Sequence, residues 1–453
     1  MKITAQNMAL ATGGLLQQDG PPGNFQFDTR ILQSGQWFLA LRGARDGHDF
    51  IPIAEQQDCA GIIGQHVPSN WNRGFIEVPD TLVAFQDIAR FVRTAFTGPV
   101  IGITGSAGKT TTRALIGCLF ENLGIVHQTK GNFNNHIGVP KTITDAPENA
   151  VSWILEMGMN ALGEIDLLQN IAKPTIRLIT NIGAAHVEGC GSIEGVAQAK
   201  GELFAGAQPE DTCCINLDDP RVAALPNPDG VHKITYGTTP NCDIQLRSVQ
   251  VDGELCQTNV QIQTPCGNID SFIPIPGEFM ALNACAAVAA GYAAGIPLAE
   301  MAKGLQQYKP VGDRMSISNV GETRFINDSY NANTLSMKAA LNSVATLQSK
   351  ETLVLLGDML EMGTEEGAAH IEILEVAISM GFQIGIVGPR FHNAYLSLSR
   401  QQQEKISWQS QSSTEMSELI NALPKTPRTI LLKGSRGMTM EKILTNYSGD
   451  SHD

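Results

Sequence analysis

No Cys-x-x-Cys pair occurs among the nine cysteines, which are scattered apart from the adjacent Cys213 and Cys214, so neither a zinc site nor a disulfide framework is expected. A reducing compartment fits that usage. No apolar run is suited to spanning a membrane: the longest, Ala284 to Ala299, is mostly alanine and glycine with Pro297 inside it, and reads as a closely packed helix. Met1-Lys2-Ile3-Thr4-Ala5-Gln6 turns polar before any sustained apolar core, so no signal peptide is expected and a cytoplasmic location is. Basic residues are in deficit, with 31 Lys and Arg against 45 Asp and Glu and a net charge of -14, which argues against nucleic acid or an anionic membrane as the main partner. Any anionic ligand must then be held by local devices such as helix N-termini, glycine loops, magnesium and a few basic side chains. Repeats are absent, and low complexity is confined to the polar Ser397 to Ser413 region.

What is present is organised. A chain of 453 residues exceeds one ordinary core, and at about 150 residues per domain it suggests roughly three. Residues 1–97 alternate short apolar runs with turns and read as a small α/β module. A helix over Thr81 to Phe96 leads through Gly98-Pro99, a plausible joint, into residues 98–311, where strands such as Val151 to Leu155 and Thr175 to Thr180 alternate with helical stretches. Such alternation predicts a doubly wound sheet. Residues 312–453 repeat the pattern with strands at Thr352 to Leu356, Gln383 to Val387 and Thr429 to Leu432, giving a Rossmann-like domain with no dinucleotide glycine fingerprint after its first strand. The expected fold class is therefore α/β in three domains.

The densest chemistry lies at Val100 to Thr112, where a β-branched strand runs into Gly105-Ser106-Ala107-Gly108-Lys109-Thr110-Thr111 and then a helical pattern. Glycines let backbone N–H groups turn inward, the helix N-terminus adds positive potential and Lys109 adds a mobile cation, which together make a phosphate grip. The usual pattern has glycine where Ile103 stands, so this loop is shortened. A phosphate loop needs a metal partner, and in open α/β sheets such ligands come from strand ends. Glu156 ends an apolar strand and could share Mg²⁺ with the Thr110 hydroxyl; His186 follows another strand through Asn181-Ile182-Gly183. Spacing alone leaves His186 weakly marked and makes Lys200 an ordinary solvated helical lysine.

In order and spacing, the phosphate loop, Glu156-Met157-Gly158, Asn181 through His186, and Ala199-Lys200-Gly201-Glu202 resemble the ATP-dependent Mur ligase family. That family includes folylpolyglutamate synthases, so the central region does not name the substrate. The flanks do: Phe27-Asp28-Thr29-Arg30, Phe38 through Phe50, Thr129 through Pro140, Asn327 through Asn333, Leu356-Gly357-Asp358-Met359 and Lys433-Gly434-Ser435-Arg436 resemble the MurF type, which adds D-alanyl-D-alanine to a UDP-N-acetylmuramoyl tripeptide. No Asp-Asn-Pro-Arg element, typical of the ligase adding the third residue, occurs; nor does an Asn-Lys dipeptide, which a GTPase switch would carry in its guanine reader. Asn327 stands where an acidic residue is common, Thr334 replaces a proline, and Asp313 separates Gly312 from Arg314.

The resemblance implies roles. ATP would convert a peptide carboxylate to an acyl phosphate, which an amine attacks. Lys109 and the loop from Gly105 to Thr111 would hold phosphates, Thr110 and Glu156 one Mg²⁺, and His186 a second. A carbamoylated Lys200 would help position that second ion, Asn283 would lie on the adenine side, Asp328 at the ribose and Arg314 at the γ-phosphate. The UDP-substrate side would draw on Thr29, Arg30, Arg45, Asp46, His48, Asn132, Asn134 and Asn135, the D-alanyl-D-alanine side on Lys433, Ser435 and Arg436, and Asn331 would also bind substrate. A monomer without membrane insertion, closing about Gly98-Pro99 and Pro310 to Gly312, is expected.

Overall fold

Three stretches of the chain each build a β-sheet of their own, and the computed structural model describes them over residues 2–447 except 44, 184, 185, 348 and 425. The first sheet has five strands in the order β1-β5-β4-β3-β2, from β1 (Leu15–Gln18), β2 (Phe25–Gln26), β3 (Trp37–Leu39), β4 (Gly61–Gly64) and β5 (Gly74–Glu77). Only β1 runs antiparallel. Phe38, Ile62 and Phe75 pack with Leu32, Ile51 and Ala54 on one face. Trp37 lies fully buried and donates its indole N–H to Pro21 O at 2.9 Å. Its ring fills the space that side chains at two neighbouring strand positions would need: a Cβ on Gly61 or Gly74 would come within 2.6 or 2.5 Å of it.

The second sheet has nine strands in the order β14-β13-β12-β11-β10-β9-β6-β8-β7. They are β6 (Val100–Thr104), β7 (Ile125–Gln128), β8 (Ala150–Glu156), β9 (Ile176–Ile179), β10 (Thr212–Asn216), β11 (His232–Gly237), β12 (Ile244–Asp252), β13 (Gln257–Thr264) and β14 (Gly267–Ile273). Strand order reverses at β6, which makes the loop after it a topological switch point where open α/β sheets bind ligands. The run from β9 to β12 is parallel, as the alternating pattern predicts, but β12, β13 and β14 form an antiparallel extension that this pattern does not announce. Alternate residues of β13 are buried, as expected of a sheet with one wet face.

The third sheet, ordered β15-β16-β20-β17-β18-β19, comprises β15 (Ser316–Val320), β16 (Thr323–Asp328), β17 (Thr352–Gly357), β18 (Gln383–Val387), β19 (Ile406–Ser410) and β20 (Arg428–Lys433). It is parallel except for β15. Phe325, Leu353, Leu355, Val387, Ile430 and Leu432 form its core.

By contact density the chain forms two compact units, one of Met1–Gly102, Leu123–Gly158 and Glu164–Thr175, the other of Ile103–Asn122, Met159–Gly163 and Ile176–Asp453. Strand β6 begins in the first and ends in the second. In the first, Arg93 of the helix Thr81–Thr94 donates to the carbonyls of Ala172 and Lys173 at 2.7 and 2.9 Å. In the second, the helix Lys109–Phe120 is buried from Thr110 onward, flanked by the helices Glu278–Ala293 and Leu298–Gln306. A helix buried on so many sides cannot drift, which fixes the loop at its N-terminus. The Ala-rich stretch after Ala284 is this packing helix. Among the described residues no helix is long and apolar enough to cross a membrane, and the nine cysteines are free thiols.

Gly61→Ala and Gly74→Ala each force a methyl group against Trp37. Each should destabilise its unit by about 1–3 kcal/mol, the range for overpacking. The check is the urea midpoint; unchanged midpoints would mean that the Trp37 packing is not tight.

Candidate active site around the phosphate loop

The loop after β6 is shaped by the segment following β9. Thr180 N–H donates to Thr104 O and Ser106 N–H to Asn181 O, both at 3.0 Å. Asn181 grips Ala107 from both sides, its Oδ1 accepting the Ala107 N–H at 2.9 Å and its Nδ2 donating to Ala107 O at 3.1 Å. Thr180 Oγ1 donates to the same carbonyl at 2.6 Å. Ser106 Oγ donates to Gly183 O at 3.1 Å and accepts Gly183 N–H at 2.8 Å. Gly105, at φ +150°, has no room for a side chain because a Cβ would collide with Thr180 Oγ1. The backbone donors of Ser106 and Ala107 are thus engaged by Asn181, so these two residues give the loop its shape.

Gly108 opens the helix at φ +81°, and a Cβ there would lie 2.6 Å from Asn283 Oδ1. Asn283 also accepts from Thr112 Oγ1 at 3.3 Å. The residue expected on the adenine side therefore abuts the loop and its helix. Lys109 folds back so that Nζ donates to Gly105 O at 2.5 Å, and Thr110 and Thr111 occupy the first helical turn, both buried.

Two further basic groups share this field. Lys200, in the helix Ile193–Ala205, is only 1 % exposed, which overturns its default reading as a solvated lysine. Burial, and then the charge of Lys109, push its ammonium well below the usual lysine range. His186, in left-handed conformation at φ +61°, is pushed down to about 4, first by burial and then by Lys109 and Lys200. Its Nδ1 stands 3.4 Å from the Glu361 carboxylate. Burial first, and neighbouring positive charge second, thus disfavour the charged forms of both Lys200 and His186.

The third sheet's strand ends contribute to the same unit. Asn333 caps the helix Thr334–Ala345 and its Nδ2 reaches Ser106 O at 3.3 Å, a loop contact that sequence reading missed. Arg314 lies over the Tyr330 ring at 3.6 Å, with Arg436 at 5.9 Å from the same ring. Asp313 faces Arg436 at 3.4 Å and accepts from Asn327 Nδ2 at 3.0 Å. Two departures from the family pattern, the added Asp313 and the amide at Asn327, are therefore one contact. Lys433 is not placed to reach a substrate: it is buried, donates to Asp328 Oδ2 at 2.5 Å and lies 3.4 and 3.2 Å from the carbonyls of Asp328 and Asn331. Ser435 is likewise buried, accepting the Leu360 N–H at 2.8 Å. Of the three residues expected around D-alanyl-D-alanine, only Arg436 presents an exposed charge.

In the first unit, Glu156 is 3 % exposed, accepts from Asn134 Nδ2 at 3.0 Å and donates its N–H to Thr129 Oγ1 at 2.9 Å. It is no solvated strand end. Asn135 uses its Oδ1 to accept the N–H groups of Ile137 and Gly138, and Asn132 is exposed. Asp46 accepts the His48 N–H at 3.0 Å and pairs with His48 Nδ1 at 2.6 Å, interactions that hold its carboxyl down at about 2. His48 Nε2 accepts the Gln65 N–H at 2.8 Å, so both ring nitrogens are engaged and His48 acts as a strut. Thr29 is buried, whereas Arg30, paired with Asp28 at 2.6 Å, and Arg45 are exposed.

Known proteins resemble this chain in sequence and fold. The Mur ligase middle domain matches residues 103–291, and the Mur ligase, glutamate ligase domain matches residues 313–436. A UDP-N-acetylmuramoyl-tripeptide--D-alanyl-D-alanine ligase of Bacillus subtilis is 37% identical over 431 residues, covering 92% of this chain and 91% of the relative. The chain belongs to the Mur ligase family. The Escherichia coli ligase of the same name is 33% identical to this Mur ligase, covering 92% of each. The crystal structure of MurF from Acinetobacter baumannii superposes with a TM-score of 0.90 at 28% identity, covering 99% of both chains.

The depressed His186 pKa sets a pH dependence. Unfolded, the imidazole protonates near 6.5; folded, it stays neutral down to about 4. Its contribution to stability is therefore present above about 6.5 and lost as pH falls toward 4. Urea midpoints of the parent should fall more steeply than those of His186→Gln over that window; parallel curves would contradict the burial of the ring.

Proposed function

We propose that this Mur ligase joins D-alanyl-D-alanine to UDP-N-acetylmuramoyl tripeptide at the expense of ATP, giving the UDP-muramoyl pentapeptide of peptidoglycan precursor synthesis. The observation that carries this reading is likeness along nearly the whole chain to ligases of that name, the first sheet included. The division of labour follows the residue ranges 1–97 for the UDP-substrate, 98–311 for ATP and 312–453 for closing the site. We take the protein to work as a cytoplasmic monomer.

Chemically, an oxygen of the tripeptide's terminal carboxylate attacks the γ-phosphorus of ATP and the bond to the β-phosphate oxygen breaks, releasing ADP. The amine of D-alanyl-D-alanine then attacks the acyl carbon, phosphate leaves with the C–O bond electrons, and the surplus ammonium proton passes to solvent. Both steps bring anions together, so the protein's work is charge neutralisation and alignment. Lys109 and the helix N-terminus would neutralise the β- and γ-phosphates, with Arg314, held flat by Tyr330, at the γ-phosphate. Asn283 and Asp328 would serve adenine and ribose.

By the family resemblance Thr110 and Glu156 would serve one Mg²⁺ and His186 a second, since Mg²⁺ favours a few protein ligands completed by phosphates and water. When bound, the ions would screen the phosphate charge. Lys200 suits carbamoylation, because an amine pushed toward neutrality keeps the lone pair that attacks CO₂, with loss of one proton. The resulting carbamate would put an anion in the field of Lys109.

ADP release should require both UDP-N-acetylmuramoyl tripeptide and D-alanyl-D-alanine; undiminished release with both omitted would overturn the assignment. Lys200→Ala should lower turnover by about a hundredfold or more, with partial recovery in a small carboxylic acid, and should remove a carbamate resonance from ¹³C spectra recorded with labelled bicarbonate.

A further inference from the structure

Strands β2, β3, β4 and β5 of the first sheet are mutually parallel, so the segments that follow them emerge along one edge, where open α/β sheets take their ligands. One aromatic ring stands out on that edge. His66, just beyond β4, lies flat on His48, with ring centroids 4.4 Å apart and planes 13° from parallel. The inner ring cannot turn, because Asp46 Oδ1 lies 2.6 Å from His48 Nδ1 and the Gln65 N–H is held on Nε2 at 2.8 Å. Gly64 makes room for it: a Cβ there would stand 3.0 Å from His48 Nε2. His48 is buried and His66 is exposed, whereas the other aromatic rings described in residues 1–97 are buried or half-buried. Charge completes the edge. Arg30 after β2, and Arg42 and Arg45 after β3, are exposed guanidinium groups, the first two steadied by Asp28 at 2.6 Å and Asp46 at 3.1 Å. A braced ring beside exposed cations suits a ligand that joins a planar base to a phosphate chain.

We propose that His66 is the stacking platform for the uracil base of the UDP-substrate, with its inner face backed by His48 and its outer face against the base. This rests on the reading of residues 1–97 as the UDP-substrate side given above. Uracil is the one aromatic group of a UDP-N-acetylmuramoyl peptide, and histidine is among the side chains on which unpaired bases stack. A platform already ordered before the ligand arrives loses little side-chain freedom on binding, which is what the Asp46–His48 strut provides. The imidazole that meets the substrate is therefore His66, and His48 is its positioning residue.

The test is calorimetric binding of UDP, and of a UDP analogue whose base is dihydrouracil, to the full chain. Dihydrouracil keeps the hydrogen-bonding edge of uracil, but its saturated ring is puckered and stacks poorly. The parent should bind UDP at least about fivefold more tightly than the analogue. His66→Ala should lose that preference, binding both nucleotides about as weakly as the parent binds the analogue, with an unaltered thermal midpoint because the ring is exposed. His66→Phe, which keeps a ring without its nitrogens, should retain the preference. In turnover, His66→Ala should raise KM for UDP-N-acetylmuramoyl tripeptide by a larger factor than it lowers kcat. If His66→Ala keeps the parent's preference while Arg30→Ala or Arg45→Ala weakens UDP, the stacking role is overturned and the UDP-substrate reading stands. If none of the three substitutions changes UDP binding, that reading fails and the proposal with it.

Discussion

The grip of residues 180–183 on the phosphate loop is the constraint on which the rest of the site depends. Strands β6 and β9 are neighbours in the sheet, so the segment leaving one lies against the loop leaving the other. Thr180, Asn181 and Gly183 satisfy the polar atoms of Ser106 and Ala107, and Thr180 leaves no room for a side chain at Gly105. A loop satisfied in this way needs no reorganisation when a polyphosphate arrives, which is how preorganised sites stabilise developing charge. The buried helix behind it keeps the N-terminus, and with it the macrodipole, on a fixed line.

Charge is the second theme. The chain as a whole is acidic, with a net charge of -14, yet Lys109, Lys200 and His186 are gathered at one place where burial raises the cost of carrying charge. Lys109 and the helix N-terminus thus supply locally what the global field does not. The third sheet supplies an ordered counterpart: Lys433 locks the Asp328 strand end, Tyr330 holds Arg314 flat, and Asp313 and Asn327 join the two flanks. These contacts explain why the departures at 313 and 327 can coexist with the family's chemistry.

Much of this was legible from sequence because it is local. A β-branched strand entering Gly-x-x-Gly-Lys-Thr has few other readings, and the strand ends bearing Glu156 and His186 follow from alternation of strand and helix. The antiparallel β12–β14 extension was missed because its alternating pattern lies within a region read as doubly wound. Spacing alone misplaces Lys200 at the surface for a different reason: helix periodicity gives a face, but only tertiary packing decides whether that face is covered. The motif of Lys433 and Ser435 suggests substrate contacts, whereas Lys433 ends β20 beside Asp328 and bonds it, and Ser435 accepts the Leu360 N–H. The contacts of Glu361 and Asn333 carry no sequence signal, since their partners lie far away along the chain.

The most direct test of the loop's dependence on its neighbour is calorimetric binding of a non-hydrolysable ATP analogue to Asn181→Ala. Removing the side chain leaves the Ala107 N–H without its acceptor and the Ala107 carbonyl with Thr180 Oγ1 alone. The account predicts an affinity at least about tenfold weaker, or roughly 1.4 kcal/mol, in a protein whose circular dichroism is unchanged. Parent-like affinity would contradict it.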